Sequence, residues 1–169
     1  MVIVGSWVRV MVKEDRRVGS SVDMVDISDK EAVSRFAEAE GEILLKPDTL
    51  EKIRRGEIKK GDVLVAAEVA GIQAAKRTHE LIPLCHQIPL SKVKIFFDFK
   101  EDRIAARCLV KAEYKTGVEM EALVGATVAL LTVWDMVKYL EKDEGGQYPL
   151  TRLCEVKVLK KEKGLDDSF

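Results

Sequence analysis

Two neighbouring stretches alternate between apolar and polar residues, and they restrict this chain to folds that contain an antiparallel sheet. The first runs from Lys92 to Lys100 and the second from Arg103 to Glu113, with Cys108 among the apolar positions of the second. A period of two predicts strands with one face on a core and one face in water. Glu101-Asp102 between them predicts a hairpin turn, which favours an antiparallel sheet over a doubly wound parallel one.

Weaker patterns predict the remaining elements of an α+β domain. Helices are expected at residues 29–40, with Ser28 as cap and Gly41 as stop, from Pro47 to Gly56, and from Val63 to about Leu81, with Asp62 as cap. Short strands are expected at residues 42–46 and 156–159. The longest helix is placed from Val118 to about Lys142.

The uncharged centre of this longest helix, residues 122–134, is 13 residues long. That length is too short to cross a bilayer and suits a helix that is buried on most of its faces. One small sheet cannot cover so much apolar surface. We therefore expect part of the helix to pack against another subunit.

Composition and charge limit the class of protein. A chain of 169 residues, 47% hydrophobic and 34% charged, suits one domain, which we place at residues 24–164 between an N-terminal arm (1–23) and a C-terminal tail (165–169). The net charge of -1 argues against a protein that coats nucleic acid. The lack of asparagine and the many Lys and Glu residues favour a thermophile's protein, which a melting temperature in the mesophile range would contradict.

Cysteine usage and the first residues indicate the compartment. Cys85, Cys108 and Cys154 are an odd number at wide spacings, which argues against a disulfide framework or a structural zinc site. The opening MVIVGSWVRV lacks the features of a signal peptide and is either a strand or sequence upstream of a true start at Met11. We expect a reduced, cytoplasmic protein without a membrane segment.

Both histidines lie in one stretch, Ala70 to Leu90, together with a thiol and two cations. The residues concerned are Lys76, Arg77, His79, Cys85 and His86, and Pro83 and Pro89 fix the backbone on either side of the Cys85-His86 pair. This grouping suggests a binding site. Cations near a helix C-terminus also complement the helix dipole, so a purely structural role remains open.

Asp135 and Lys138 lie three positions apart on the longest helix and therefore share one face. The pair is either a solvated ion pair or a catalytic pair in which the lysine donates a proton. The chain contains neither G-x-x-x-x-G-K-[ST] nor G-x-G-x-x-G, the two common phosphate-binding loops.

Five groups of motifs, taken together, closely resemble the cyclic pyranopterin monophosphate synthase family of molybdenum cofactor biosynthesis. They are MVDISDK from Met24, KGDV from Lys60, AGIQAAKRT with LIPLCH up to His86, KTGVEMEAL from Lys115, and WDMVK around Asp135. They cover roughly residues 24–161, in the same order and with short gaps. Several long motifs in register are a stronger signal than any one short pattern.

The resemblance implies both a reaction and an assembly. The family rearranges a cyclised dihydro-GTP intermediate into a pterin that carries a cyclic phosphate, with release of pyrophosphate. Its members resemble ferredoxin-like α+β subunits, in which helices pack on one face of an antiparallel sheet, assembled as homohexamers, trimers of dimers, with the active site at a subunit boundary. No cofactor is implied, a divalent cation with the triphosphate stays open, and neither nucleic acid nor membrane is an expected partner.

The resemblance also implies roles for individual residues. Asp135 and Lys138 match the catalytic acid/base pair. Substrate contacts are implied for Leu84, Cys85 and His86, for Glu119, Met120 and Glu121, and for the basic residues Lys60, Lys76, Arg35 and Lys161. If the site is drawn from two chains, inactive Lys60→Ala and Lys138→Ala proteins are expected to restore activity when mixed.

The chain departs from the family pattern in three places. Many members end in K-S-G-G-K-S-G, whereas this chain has Lys160-Lys161-Glu162-Lys163-Gly164, so Lys160 or Lys163 could replace Lys161 at the site. Gln87 follows the LCH motif in place of the usual proline, and Trp134 stands where a tyrosine is common. Both changes could reshape the pocket.

Overall fold

The structure, a computed structural model, describes residues 22–164; the expected strand at the first residues and the expected tail lie outside this range. The described chain contains, in order, β1 (Val33–Leu44), α1 (Pro47–Arg54), α2 (Val63–Lys76), α3 (Thr78–Leu81), β2 (Leu90–Phe99), β3 (Arg103–Tyr114), α4 (Glu119–Glu141) and β4 (Arg152–Lys163). The predicted α1 and the predicted long helix are confirmed.

The strands form one antiparallel sheet in the order β2-β3-β1-β4. Together with the order of elements along the chain, this is the β-α-β-β-α-β arrangement of ferredoxin-like folds. The predicted hairpin is confirmed, because Lys100 N donates to Arg103 O at 2.9 Å and β2 pairs with β3 along its length. Helices α2 and α4 pack on one face of the sheet, which confirms the predicted α+β class.

The predicted helix at residues 29–40 is wrong, because residues 33–44 form strand β1. In this strand Ala37, Ala39 and Ile43 face the helices and are fully buried. Alanines at these positions fit a helical spacing as well as an alternating one, and alanine favours a helix locally. Pairing with β3 on one side and β4 on the other overrides that preference. The expected strand at 42–46 is the end of this same strand.

Helix α2 begins as predicted but ends earlier. The Asp62 carboxylate accepts hydrogen bonds from Leu64 N and Val65 N, both at 3.0 Å, and so caps the helix. The single helix predicted to reach Leu81 is interrupted at Arg77, where φ is -117° and ψ is 18°. The Thr78 hydroxyl donates to Ala75 O at 3.0 Å, and such bonds to the last turn compete with continuation of a helix.

Strand β4 is longer than the predicted strand at 156–159. Its pairing with β1 shifts register between Glu40 and Glu42, and Glu155 has a positive φ of 53°. A bulge of this kind interrupts the alternation of side chains, which is why the pattern indicated only the middle of the strand.

Helix α4 is the core helix of the fold. With 23 residues and a mean hydropathy of 1.5 over its most apolar window, it is long and apolar enough to cross a membrane by those criteria alone. In the structure it packs against both α2 and the sheet, and Ala122, Ala126 and Val133 are fully buried. This placement is that of a core helix in a folded domain. Cys108 is buried beneath it, as predicted.

Gly71 allows α2 and α4 to approach closely. A Cβ at this position would overlap with Ile95 Cδ1 and would lie 2.7 Å from Gly125 O and 3.1 Å from Ala129 Cβ. Because a backbone atom is among the obstacles, we expect Gly71→Ala to lower the free energy of unfolding by about 1–3 kcal/mol. Denaturant unfolding measures this. Gly145→Ala is the control, since its Cβ would meet only Asp143 Oδ1 at 3.4 Å; equal stabilities of the two variants would contradict the prediction.

Candidate active site

Asp135 lies between two lysines near the C-terminal end of α4. Lys138 Nζ donates to one carboxylate oxygen at 2.8 Å, and Lys60 Nζ donates to the other at 2.7 Å and to the Asp135 carbonyl oxygen at 2.8 Å. Lys138 follows one turn later on the same helix. Lys60 reaches this place because it lies shortly before the start of α2, which runs antiparallel to α4. We call these three residues the carboxylate–lysine cluster.

The charges of this cluster are fixed by its ion pairs. The hydrogen bond from Lys138, which has the larger effect, and the hydrogen bond from Lys60 lower the pKa of Asp135 to about 2. The carboxylate is therefore ionised at neutral pH. The same carboxylate raises the pKa of Lys138, so the ammonium keeps its proton. About half of each side chain is exposed to solvent, which leaves the cluster open to a ligand. Lys138 is therefore suited to donate a proton rather than to accept one.

A second group of the candidate residues lies at the opposite end of α4, around a cavity of about 520 Å³ that we call the basic cavity. Arg35 and Lys161 line it together with Glu119. Arg35 Nε donates to Tyr114 O at 3.1 Å, which holds the guanidinium against the end of β3. Lys161 Nζ lies 2.9 Å from Glu119 Oε1. Burial is the largest single influence and raises the pKa of Glu119, but the hydrogen bond and charge of Lys161, the backbone N–H of Glu119 and the charge of Arg35 together keep that pKa below its usual value.

A smaller cavity of about 340 Å³ adjoins it, and we call it the apolar cavity. It is lined by the LCH loop and the start of α4, including Leu84, Cys85, His86, Met120 and Glu121. His86 Nε2 donates to the carbonyl oxygen of Val25 at 2.8 Å. Burial raises the pKa of the Cys85 thiol, so this cysteine is not activated as a nucleophile.

Glu121 is a buried carboxyl group at the wall of the apolar cavity. It is only 4% exposed, and its Oε2 has no hydrogen-bond partner within the described residues. Burial, with a smaller contribution from the Glu119 carboxylate, raises the pKa of Glu121 to about 7. The group can therefore carry a proton near neutral pH and donate it to a ligand in the cavity.

This shifted pKa predicts a pH dependence of stability. Between the usual value of 4.5 and the folded-state value of about 7 the folded protein binds the extra proton, so stability falls as pH rises through this window. Glu121→Gln removes the titration, and we expect it to gain stability relative to the intact protein by at most about 3 kcal/mol between pH about 5 and about 8. Denaturant unfolding at both pH values measures this, with exposed Glu144→Gln as control. Parallel pH profiles would refute the assignment.

The structure does not bring all of the candidate residues together. Residues 119 and 135 on α4 are 16 positions apart. At the helical rise of about 1.5 Å per residue, this separates them by about 24 Å along the helix axis. The carboxylate–lysine cluster and the two cavities are thus separate on one chain. Lys76 is exposed at the cavity end of α2 but lines neither cavity.

The structure distinguishes the three C-terminal lysines. Lys161 points toward α4 and the basic cavity, which Lys163 also lines. Lys160 lies on the other face of the sheet, beside Phe36 and Glu162. This placement favours Lys161 over Lys160 as the site lysine.

Lys30, Lys115 and Thr116 also line these cavities, although the sequence did not single them out. The signal was present, because all three lie inside the MVDISDK and KTGVEMEAL motifs. Within residues 22–164 no group of three His, Cys, Asp or Glu side chains could hold a metal ion.

Comparison with known proteins places these motifs in one family. The sequence model of the MoaC family matches residues 24–164. A protein of Thermococcus kodakarensis named probable cyclic pyranopterin monophosphate synthase is 59% identical over 143 residues, covering 85% of this chain and 92% of the relative. A Pyrococcus abyssi protein of the same name is 61% identical over 142 residues, covering 84% and 89%. A Methanothermobacter thermautotrophicus relative, 56% identical over 84% of this chain and 89% of its own length, is named as a probable accessory protein of this synthase.

Proposed function

The chain belongs to the MoaC family, and from this premise we propose that it is a cyclic pyranopterin monophosphate synthase. It is a lyase of molybdenum cofactor biosynthesis that converts the cyclised dihydro-GTP intermediate into cyclic pyranopterin monophosphate and pyrophosphate. The observation that carries this proposal is the carboxylate–lysine cluster, in which Asp135 is held between Lys60 and Lys138.

The reaction needs both proton transfer and charge stabilisation. A cyclic phosphate forms when an oxygen of the substrate bonds to the α-phosphorus while the bond from that phosphorus to the departing pyrophosphate breaks. The pyrophosphate gains negative charge as it leaves, and converging cations offset that charge. Opening and reclosing the purine ring requires proton transfers, to each of which a positioned acid contributes roughly 10²–10⁴-fold. Lys138 donates the proton, and Asp135 orients its ammonium.

We propose that each active site is drawn from two chains. Asp135 of the carboxylate–lysine cluster and Glu119 of the basic cavity lie about 24 Å apart along α4 of one chain, farther than one nucleotide extends. A neighbouring subunit can bring its own cavities against Asp135. Val65 and Val69 on α2 and Leu131 on α4 are large apolar residues that are about half exposed, and they are suited to such a contact. The family resemblance favours a homohexamer, a trimer of dimers, with the site at this boundary.

The substrate is a small molecule, and we propose that the protein acts in the cytoplasm without a bound cofactor. A divalent cation accompanying the triphosphate is compatible with the acidic substrate. We propose no nucleic-acid or membrane partner, since the net charge is -1 and the apolar helix α4 packs in the core.

The alternative is a module that binds the nucleotide or pterin without converting it. The name of the Methanothermobacter relative keeps this alternative in view. The intact acid/base pair argues against it, because a protein that only binds has no use for a lysine held as a proton donor.

Release of pyrophosphate from the purified cyclised dihydro-GTP intermediate tests the proposal. We expect the intact protein to release one pyrophosphate per cyclic pyranopterin monophosphate formed. Binding of the intermediate without any release would support the binding module instead.

A further inference from the structure

The turn of residues 58–61, which carries Lys60 to Asp135, contacts α4 a second time through Tyr139. The Lys59 backbone N–H donates a hydrogen bond to Tyr139 Oη at 3.3 Å. The Lys59 ammonium lies 5.9 Å from the centroid of the same ring, within the range of a cation–π contact. Tyr139 therefore contacts both the backbone and the side chain of the residue directly before Lys60.

The spacing on α4 explains why both contacts reach one short turn. Asp135 and Tyr139 are four positions apart, so their side chains lie on the same face of the helix. Lys60 Nζ donates to the carboxylate and to the carbonyl oxygen of Asp135, and Lys59 donates through its backbone to Tyr139. Two consecutive residues of the turn are thus bonded to α4 at two places that are one helical turn apart.

The same turn is anchored in the core at its first residue. Ile58 is only 6% exposed and belongs to the hydrophobic core. Gly61 N donates to Ile58 O at 3.0 Å, which closes the turn, and Gly61 has a positive φ of 106°. Lys59 and Lys60 between them are exposed. The hydrogen bond to Tyr139 ties this exposed part of the turn to α4.

Lys60 depends on its backbone for a fixed position, because its side chain is long and partly exposed. Ordering a lysine side chain costs conformational entropy, and an exposed ion pair offsets little of that cost. A backbone that is already held against α4 lowers the cost, since it places the Cα of Lys60 within reach of Asp135. The contact between Lys59 and Tyr139 supplies this restraint.

We propose that Tyr139 is a positioning residue of the carboxylate–lysine cluster, which holds the turn 58–61 against α4 and so keeps Lys60 in contact with Asp135. The proposal rests on the proposed function, in which Asp135 orients the ammonium of Lys138. Lys60 and Lys138 each bind one carboxylate oxygen of Asp135. When Lys60 is released, the carboxylate can rotate and no longer holds Lys138 in one orientation. Tyr139 acts through Lys60 and not on the substrate.

Tyr139→Phe tests the proposal, because it removes the hydroxyl and keeps the ring. Loss of one hydrogen bond to the turn should lower kcat/KM for pyrophosphate release by about three- to tenfold. Thr132→Val is the matched control, since it removes a hydroxyl from the same helix whose hydrogen bond, to Val128 O at 2.8 Å, stays within that helix. The control should keep a normal kcat/KM. Thermal unfolding checks that both variants are folded.

The pKa of Asp135 gives a second readout that does not depend on activity. Lys138, which has the larger effect, and Lys60 together lower this pKa, so Lys60→Met should raise it. Tyr139→Phe should raise it by a smaller amount, and should add nothing in a protein that already carries Lys60→Met. Carbon-13 NMR titration of aspartate-labelled protein measures this pKa, and the loss of one resonance in Asp135→Asn assigns it.

Three results would overturn the role of Tyr139 and leave the proposed function standing. The first is an unchanged kcat/KM in Tyr139→Phe, and the second is an unmoved pKa of Asp135 in that variant. The third is a further rise of this pKa when Tyr139→Phe is added to Lys60→Met, which would show an effect independent of Lys60. If the intact protein releases no pyrophosphate, the proposed function fails, and the NMR titration still decides whether Tyr139 positions Lys60.

Discussion

Lys138→Met is expected to lower kcat for pyrophosphate release by at least about 10²-fold, because it removes the proton donor of the reaction. Methionine keeps much of the volume of the lysine stem but carries no proton. The side chain is half exposed and not part of the core, so the variant should fold. Steady-state pyrophosphate release measures the loss, and thermal unfolding checks the fold.

Lys142→Met, at the exposed lysine one turn further along, is the matched control and should keep normal activity. Asp135→Asn gives an independent readout. The carboxylate raises the pKa of Lys138, so its removal should lower that pKa and move the alkaline limb of the kcat profile to lower pH. An unshifted alkaline limb, or substantial activity in folded Lys138→Met, would remove Lys138 as the proton donor.

Mixing inactive Lys138→Met with inactive His86→Ala is expected to restore activity. His86 belongs to the apolar cavity and Lys138 to the carboxylate–lysine cluster, and these lie at opposite ends of α4. If one site takes one group from each of two chains, random reassembly of equal amounts leaves about a quarter of the sites with both groups intact. Pyrophosphate release after dissociation and reassembly measures the recovery.

The control for this experiment is a mixture of Lys60→Met with Lys138→Met. Both lysines contact the carboxylate of Asp135 on the same chain, so no mixture can assemble an intact cluster from these two variants. The sequence alone suggested that variants at Lys60 and Lys138 would complement each other if the site is drawn from two chains. The structure corrects this choice of variants, because both lysines contact the same carboxylate on one chain. Absence of recovery in the first mixture, with subunit exchange verified by mass spectrometry, would refute the shared site, as would recovery in the control.

Features set by local backbone geometry could be predicted from the sequence. The alternation in β2 and β3 follows from the period of a strand, and the cap at Asp62 follows from the unpaired N–H groups of a helix start. The contact between Asp135 and Lys138 follows from a spacing of three on one helix. The resemblance to a family supplied the remaining candidate residues, because long motifs in register carry information that periodicity does not.

Only the tertiary structure decided what depends on distant parts of the chain. Strand β1 was predicted as a helix because its alanines suit both structures locally, and only pairing with β3 and β4 selects the strand. Lys60 contacts Asp135 across 75 positions, and no local pattern reports such a contact. The candidate site separates into two groups because α4 is a long, rigid helix that holds its two ends apart. The family resemblance identified residues at both ends but did not report the distance between them.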